Sequence, residues 1–171
     1  MELGATDAAT RPTGFVARVI EIWALLGGIV LLGIVLMVAW SVLRGWLFDR
    51  PLQGDVEMTE MWVAVAAFMF LPYCQLTGAN VTADIFTARA GPRAVALFEL
   101  ISALVALAFS VLLLWRMYYG FLDYRTYVET TTILHVPIWY AYVPALMSLA
   151  LLALASLISV RNTLRAWKSA R

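Results

Sequence analysis

Cysteine and histidine are almost absent from this chain of 171 residues, which contains only Cys74 and His135. One cysteine cannot close a disulfide within the chain, so cysteine usage indicates neither an oxidising nor a reducing compartment. One histidine cannot supply both axial ligands of a bis-histidine haem, and it cannot build a histidine-rich zinc or di-metal site. We therefore expect no metal, no cofactor and no enzymatic activity in this chain.

Charged side chains are also scarce. They make up 13% of the chain, whereas hydrophobic residues make up 63% and the mean hydropathy is +0.85. Soluble domains carry about 25% charged residues, because their surfaces must be hydrated. The apolar excess predicts contact with membrane lipids instead of water. The net charge is +1 and basic residues cluster only at the C-terminal end, which argues against a nucleic-acid partner.

Four apolar intervals, separated by charged residues, are each long enough to cross a bilayer, since a hydrocarbon core of about 30 Å needs roughly 20 helical residues. The predicted spans are 20–43, 60–76, 95–118 and 136–160. None of them alternates as the shorter strands of a membrane β-barrel do. The sequence therefore predicts an all-α integral membrane protein with a bundle of four transmembrane helices. We expect one domain over residues 15–165, a flexible tail over 1–14 and a short cytoplasmic tail over 166–171.

An even number of spans places both termini and the loop between the second and third spans on the same side of the membrane. That side has the larger share of basic residues, namely Arg11, Arg18, Arg89, Arg93, Arg161, Arg165, Lys168 and Arg171. The opposite side has Arg44, Arg50, Arg116 and Arg125, together with most of the acidic residues. The positive-inside bias thus predicts that both termini are cytoplasmic.

Two connecting segments have informative patterns. Ala79–Ala90 alternates apolar and polar residues before Gly91-Pro92, which predicts a short amphipathic helix on the inner membrane surface. Glu129–Tyr140 has three threonines followed by Pro137. That order predicts an ordered return into the fourth helix, with the proline in its first turn. We expect His135, within this segment, to be a hydrogen-bonding residue at the membrane interface.

Ionisable residues within the spans are the first place to look for a transport pathway, because a charge at the bilayer centre costs about 2.5–3.5 kcal/mol. Glu21 lies one turn from Arg18 near the inner end of the first span, where an ion pair explains it. Glu99 is the deepest, about 10 Å from the inner boundary at a rise of 1.5 Å per residue. It either faces a partner helix or extends towards the cytoplasm. The remaining mid-span stretches are apolar and predict a structural role.

Small residues recur at four-residue spacing in three of the spans, and such stripes permit close approach of helices. They are Ala24 and Gly28 in the first span, Ser102, Ala106 and Ser110 in the third, and Ala141 and Ala145 in the fourth. With Glu99, these residues are our candidates for helix packing and for contact with another membrane subunit. The pattern does not distinguish packing within the chain from packing against a partner.

Three segments resemble a known family, the small DctQ-like membrane subunit of tripartite ATP-independent periplasmic (TRAP) transporters. They are GDVEMTEMW, in which Glu60 opens the second span, LPYCQLTGANVTADI at the end of that span, and ETTTILHVPIWYAYVPAL at the start of the fourth. Four short spans with both termini inside add to the resemblance, which covers about residues 20–160.

The resemblance implies a subunit of a sodium-coupled transporter for a small organic anion in the bacterial inner membrane. A large membrane subunit would carry the substrate and sodium sites and move by an elevator-type mechanism, while this chain enlarges and anchors the static scaffold. A soluble periplasmic protein would capture the solute and dock on the outer face. The candidates for that docking are Glu57, Glu60, Asp123, Arg125 and Glu129.

Three other interpretations remain open from the sequence. A stand-alone transporter acting as a homo-oligomer would need an essential acid within a span, for which Glu99 is the candidate. A membrane enzyme or haem anchor would need clustered ligands that this sequence does not contain. A structural or assembly subunit of some other complex requires only a packed, inert bundle, as the preferred interpretation does.

Overall fold

Four long helices make up nearly all of the chain that the structure describes. The computed structural model describes residues 14–77 and 92–169, without the side chains of 92–96, 99 and 165–169. The helices are α1 (Phe15–Phe48), α2 (Asp55–Thr77), α3 (Pro92–Tyr127) and α4 (Trp139–Ser169). Within these residues the only β-type pairing is an isolated bridge between Thr130 and Pro137. The predicted all-α bundle of four membrane-spanning helices is confirmed.

Each helix is long and apolar enough to cross a bilayer. The most apolar windows of α1, α2, α3 and α4 have mean hydropathies of 2.7, 1.2, 2.2 and 2.3. The shortest helix, α2, has 23 residues and is about 35 Å long, which exceeds a hydrocarbon core of about 30 Å. A polar backbone has no water to bond within that core, so helices satisfy it internally. The protein is therefore a multi-pass membrane protein.

The start of the fourth helix differs from the predicted span. The helix begins at Trp139, whereas the span was predicted from residue 136. Residues 130–137 instead form a tight loop in which the Thr131 N–H donates to the Val136 carbonyl at 2.9 Å. Pro137 therefore lies just before the first helical turn, and its carbonyl accepts the N–H of Tyr140 at 3.2 Å. The predicted surface helix over 79–90 lies outside the described residues.

The helices are not packed equally. Extensive contacts join α1 to α2, α2 to α4, and α4 to α3, so the order across the bundle is α1, α2, α4, α3. In α4, 33% of the most apolar window is buried, whereas in α3 only 11% is buried. Large apolar side chains on the two flanking helices, such as Leu25, Ile29 and Phe109, are more than half exposed. These flanks are available to lipid or to a partner subunit.

Close backbone approach holds α1 against α2. Gly27 is buried, and a Cβ atom built on it would lie 2.9 Å from the Cβ of Met69. Val65 and Ala66 are 2% and 1% exposed on the neighbouring turns of α2. Side chains packed this closely leave no space for an extra methyl group, so the interface depends on glycine at this position.

One polar contact joins α1 to α4 across the bundle. The indole N–H of Trp23 donates to the hydroxyl of Ser148 at 2.9 Å, and that hydroxyl donates to the carbonyl of Pro144 at 2.8 Å. Ser148 is 1% exposed, so water does not reach its hydroxyl. Its hydrogen bonds must therefore come from protein groups, here the Trp23 indole and the Pro144 carbonyl. This contact helps to position α4 relative to the rest of the bundle.

Candidate functional site at the acidic end

Carboxylates gather at one end of the bundle, where α1 and α3 end and α2 and α4 begin. We call this the acidic end, and its carboxylates belong to Asp49, Asp55, Glu57, Glu60, Asp123 and Glu129. The same end contains the loop 128–138, called the clamp loop below. No charged residue occurs in the mid-span stretches 22–43, 61–77, 100–115 and 136–160. The charged side chains that the structure describes are therefore concentrated at the helix ends.

Glu57 binds the clamp loop to α2. One carboxylate oxygen accepts the backbone N–H of Ile133 at 2.8 Å, and the other accepts the N–H of Leu134 at 3.2 Å. Both bonds are charge-assisted, and such bonds are stronger than bonds between neutral groups. Because Glu57 lies in the first turn of α2, the loop that leads into α4 is tied directly to the start of another helix.

Gly54 provides the second attachment point for the clamp loop. Its φ is 77°, in the left-handed region that residues with a side chain rarely adopt. A Cβ atom at this position would collide with the side chain of Leu134. The loop therefore lies directly on the turn that precedes α2, and glycine is required there for both its backbone conformation and its size.

The clamp loop is also ordered by its own hydrogen bonds. The N–H of Val136 donates to the Thr131 hydroxyl at 3.1 Å, and the N–H of Ile138 donates to the Glu129 carbonyl at 3.1 Å. His135 is exposed, has a φ of 53°, and places its Nδ1 3.2 Å from the carbonyl oxygen of Ile133. That position matches the hydrogen-bonding role expected for this histidine. These bonds pair backbone groups of a segment that has neither helix nor strand.

A buried serine ties α1 to the same end of the bundle. Ser41 is 1% exposed, and its hydroxyl donates to the carboxylate of Asp55 while it accepts the N–H of Leu52 at 3.1 Å. Asp55 is the first residue of α2, where a negative charge is favoured by the helix dipole. This contact has no signal in the sequence, because Asp55 precedes the second span as predicted from residue 60.

A cleft of about 470 Å³ opens at the acidic end between α2, α3 and the clamp loop, over the first turns of α4. Most of its wall is apolar, and its polar groups are two carboxylates, three threonine hydroxyls and one phenol. The lining residues are Glu57, Glu60, Met61, Ala64, Val65, Phe68, Met117, Thr130, Thr131, Thr132, Ile138, Ala141, Tyr142 and Ala145. Its volume lies within the range of about 300–1,000 Å³ that is typical of small-molecule sites.

The five candidate docking residues are all at the acidic end, but they differ in their surroundings. Glu57 and Glu60 both line the cleft. Asp123, Arg125 and Glu129 are exposed outside it. Glu60 is exposed and forms no hydrogen bond or ion pair with the described residues, in contrast to Glu57. Glu60 is therefore the carboxylate in the cleft that is available to a ligand or partner.

The candidate packing residues also divide into two groups. Ala24 and Ala145 are 8% and 3% exposed, and Ser110 is fully buried with its hydroxyl bonded to the Leu107 carbonyl at 2.8 Å. Ala106, Ala141 and Gly28 are partly buried. Ser102, by contrast, is exposed on α3. The side chain of Glu99 lies outside the described residues.

Aromatic rings surround the acidic end. Trp115 and Tyr119 meet edge to face at 5.6 Å on α3, and the rings of Tyr124 and Tyr142 join α3 to α4 at 5.1 Å. Trp115 is 60% exposed. Amphipathic rings prefer the headgroup level of a bilayer, which fits a position at the end of the spans. In the described part of the chain, no group of three or more His, Cys, Asp or Glu residues is placed to hold a metal ion.

Comparison with known proteins assigns the family. A sequence model described as "Tripartite ATP-independent periplasmic transporters, DctQ component" matches residues 34–166. The chain belongs to the DctQ family. The match includes the end of α1, all of α2, α3 and the clamp loop, and most of α4, and it confirms the resemblance seen in the sequence. No curated protein and no solved structure matches the chain significantly. As a DctQ protein, the chain is a transporter component, the small membrane subunit.

Proposed function

We propose that this DctQ protein is the non-catalytic scaffold of a sodium-coupled TRAP transporter that takes up a small organic anion. The observation that carries the proposal is the family match, together with four mid-span stretches that contain no charged residue. Binding an ion or an anionic solute at mid-membrane requires polar, charged or unwound groups that replace water. We therefore assign the substrate and sodium sites to a large membrane subunit.

The acidic end would face the periplasm, with both termini in the cytoplasm of a bacterium and the helices in its inner membrane. The distribution of basic residues supports this orientation, since the opposite end of the bundle has the larger share of arginines. The exposed charges of Glu60, Asp123, Arg125 and Glu129 would then meet a periplasmic substrate-binding protein. Charges at the rim of an interface mainly steer and orient the partner, and they contribute little affinity individually.

The large subunit would pack against α3. This helix has the lowest buried fraction of the four, and Ser102 is an exposed small residue on its surface. Small residues at membrane interfaces allow two helices to approach closely. Ala24, Ser110 and Ala145 are already buried within the chain, so we assign them to packing of the scaffold itself.

Affinity purification of the tagged chain in mild detergent tests the proposal. We expect a larger polytopic membrane protein to be recovered with it in a fixed ratio, and a soluble binding protein to join when its solute is present. A homogeneous homo-oligomer of this chain alone would instead support a stand-alone transporter. Recovery with an unrelated membrane complex would support an assembly role there, and either result contradicts the proposed function.

A further inference from the structure

The cleft at the acidic end exists because two helices do not meet. Both α2 and α3 pack against α4, but among the described residues they have no extensive contact with each other. Ala141 and Ala145 of α4 line the gap between them, and their small side chains occupy little of it. Met61 and Phe68 of α2 and Met117 of α3 form its apolar sides. The result is an apolar slot that begins at the helix ends and continues into the span.

The size of the slot restricts what fits in it. A helix about 11 Å across has a cross-section of roughly 95 Å², so a cleft of 470 Å³ would hold only about one helical turn. This volume favours an occupant slimmer than the transmembrane helix of a partner. A single acyl chain is slim enough to lie along the slot. Since the slot is lined by helices long and apolar enough to cross a bilayer, phospholipid is the molecule present at the highest concentration beside it.

Charge restricts the ligand further. Glu57 and Glu60 both line the cleft, and no basic side chain does. Glu57 has both oxygens engaged by the clamp loop, whereas Glu60 has no partner among the described residues. A carboxylate in an apolar cleft favours a cationic group and disfavours an anionic one, and a primary ammonium can in addition donate hydrogen bonds to it, which a quaternary ammonium cannot. Thr130 and Thr132 are exposed and also line the cleft, and their hydroxyls can donate to a phosphate.

We propose that the cleft binds one phospholipid whose headgroup carries a primary ammonium. The ammonium pairs with Glu60, the phosphate meets the threonine hydroxyls, and one acyl chain lies over Ala141 and Ala145. The bilayer is as apolar as the slot, so the acyl chain adds little selectivity. Selectivity comes from the headgroup. This inference does not depend on the proposed transport function, because it needs only the cleft and its charges.

Native mass spectrometry of the full chain tests this inference. The protein is purified in mild detergent and exposed to an equimolar mixture of phosphatidylethanolamine, phosphatidylcholine and phosphatidylglycerol with identical acyl chains. We expect one phosphatidylethanolamine to be retained in preference to the quaternary and anionic lipids. Equal retention of phosphatidylethanolamine and either of the other two lipids, or retention of no lipid, would overturn the proposal.

Three variants locate the bound lipid. Glu60→Gln removes the charge from an exposed position, and we expect it to lower phosphatidylethanolamine retention about threefold to fivefold. Ala64→Phe fills the slot and should abolish retention of this lipid. Asp123→Asn removes an exposed carboxylate outside the cleft and should change nothing. If Glu60→Gln and Asp123→Asn behave alike, the ammonium is not recognised at Glu60 and the proposal fails, whether or not Ala64→Phe folds.

Discussion

The carboxylate of Glu57 and the backbone N–H of Ile133 are joined by a hydrogen bond of 2.8 Å, although the two residues are 76 positions apart. The bond connects the first turn of α2 to the loop that leads into α4. It brings together two segments with separate sequence predictions, a candidate docking charge and the return into the fourth helix. The contact ties the clamp loop to the start of α2.

Removing the Glu57 carboxylate should loosen the clamp loop. Glu57→Ala leaves the N–H groups of Ile133 and Leu134 without their acceptor, whereas Glu57→Gln keeps one neutral acceptor oxygen. We expect amide hydrogen exchange at these two positions to be fastest in Glu57→Ala, intermediate in Glu57→Gln and slowest in the wild type. Glu60→Gln is the matched control and should leave both rates unchanged. Equal rates in all four proteins would contradict the observed contact.

Gly54→Ala should destabilise the protein by about 1–3 kcal/mol, because it adds strain at a positive φ and a collision with Leu134. Thermal unfolding in detergent measures the effect. Gly33→Ala is the control, since nothing lies within 4 Å of its added methyl group and alanine favours a helix. The double variant with Leu134→Ala should recover the part of the loss that comes from the collision. If Gly54→Ala is as stable as Gly33→Ala, the loop does not lie on this turn.

Two adjacent glycines of α1 provide a second matched pair. Gly27→Ala places a methyl group 2.9 Å from the Cβ of Met69 and should cost about 1–3 kcal/mol, because the overpacked helices must move apart. Gly28→Ala meets nothing within 4 Å and should be neutral or slightly stabilising. The unfolding temperatures of the two variants check this order. A reversed order would place α1 against α2 through a different face.

Ser41→Ala should lower stability by about 1–3 kcal/mol, since it removes the buried hydroxyl that donates to one oxygen of Asp55 and accepts the N–H of Leu52, and both of these groups are partly buried. Ser159→Ala is the control. The Ser159 hydroxyl bonds only to the Ala155 carbonyl of its own helix at 3.1 Å, so its loss should change stability by less than about 0.5 kcal/mol. Equal effects in chemical or thermal unfolding would show that Ser41 does not tie α1 to α2.

Two tryptophan substitutions, one on each flanking helix, test the proposed contact with the large subunit. Ser102→Trp adds bulk to an exposed position on α3 and should reduce recovery of the large subunit in affinity purification. Leu32→Trp adds bulk to an exposed position on α1, where Leu32 is 59% exposed. This variant should leave recovery of the large subunit unchanged. Loss of the partner with Leu32→Trp alone would place the large subunit on the opposite flank.

The number of helices and their approximate positions could be predicted because the signal is local. Charged residues such as Arg44, Glu60 and Arg116 bound apolar intervals, and a bilayer permits only helices in them. The start of α4 at Trp139 could not be predicted so well. It depends on loop hydrogen bonds whose partners, such as Thr131 and Val136, have no distinctive spacing.

The candidate site was predicted only in outline. Glu57 precedes the predicted second span, Glu60 opens it, and both were candidate docking residues, yet Glu57 is engaged by the clamp loop whereas Glu60 has no partner among the described residues. That difference arises from tertiary contacts with a distant loop. Ser102 and Ser110 likewise belong to one stripe, but only the packing of α3 on α4 decides that Ser110 is buried and Ser102 is exposed. Periodicity identifies a face of a helix, and it does not say what covers it.

Reconstitution into liposomes tests the central claim most directly. The purified chain is incorporated with a large TRAP membrane subunit, with the soluble binding protein added outside, and in a second preparation the chain is incorporated alone, both under an inward sodium gradient. We predict solute uptake with all three components and none with this chain alone, because its mid-span stretches contain no charged residue. Uptake by the chain alone, driven by a sodium or proton gradient, would contradict the account.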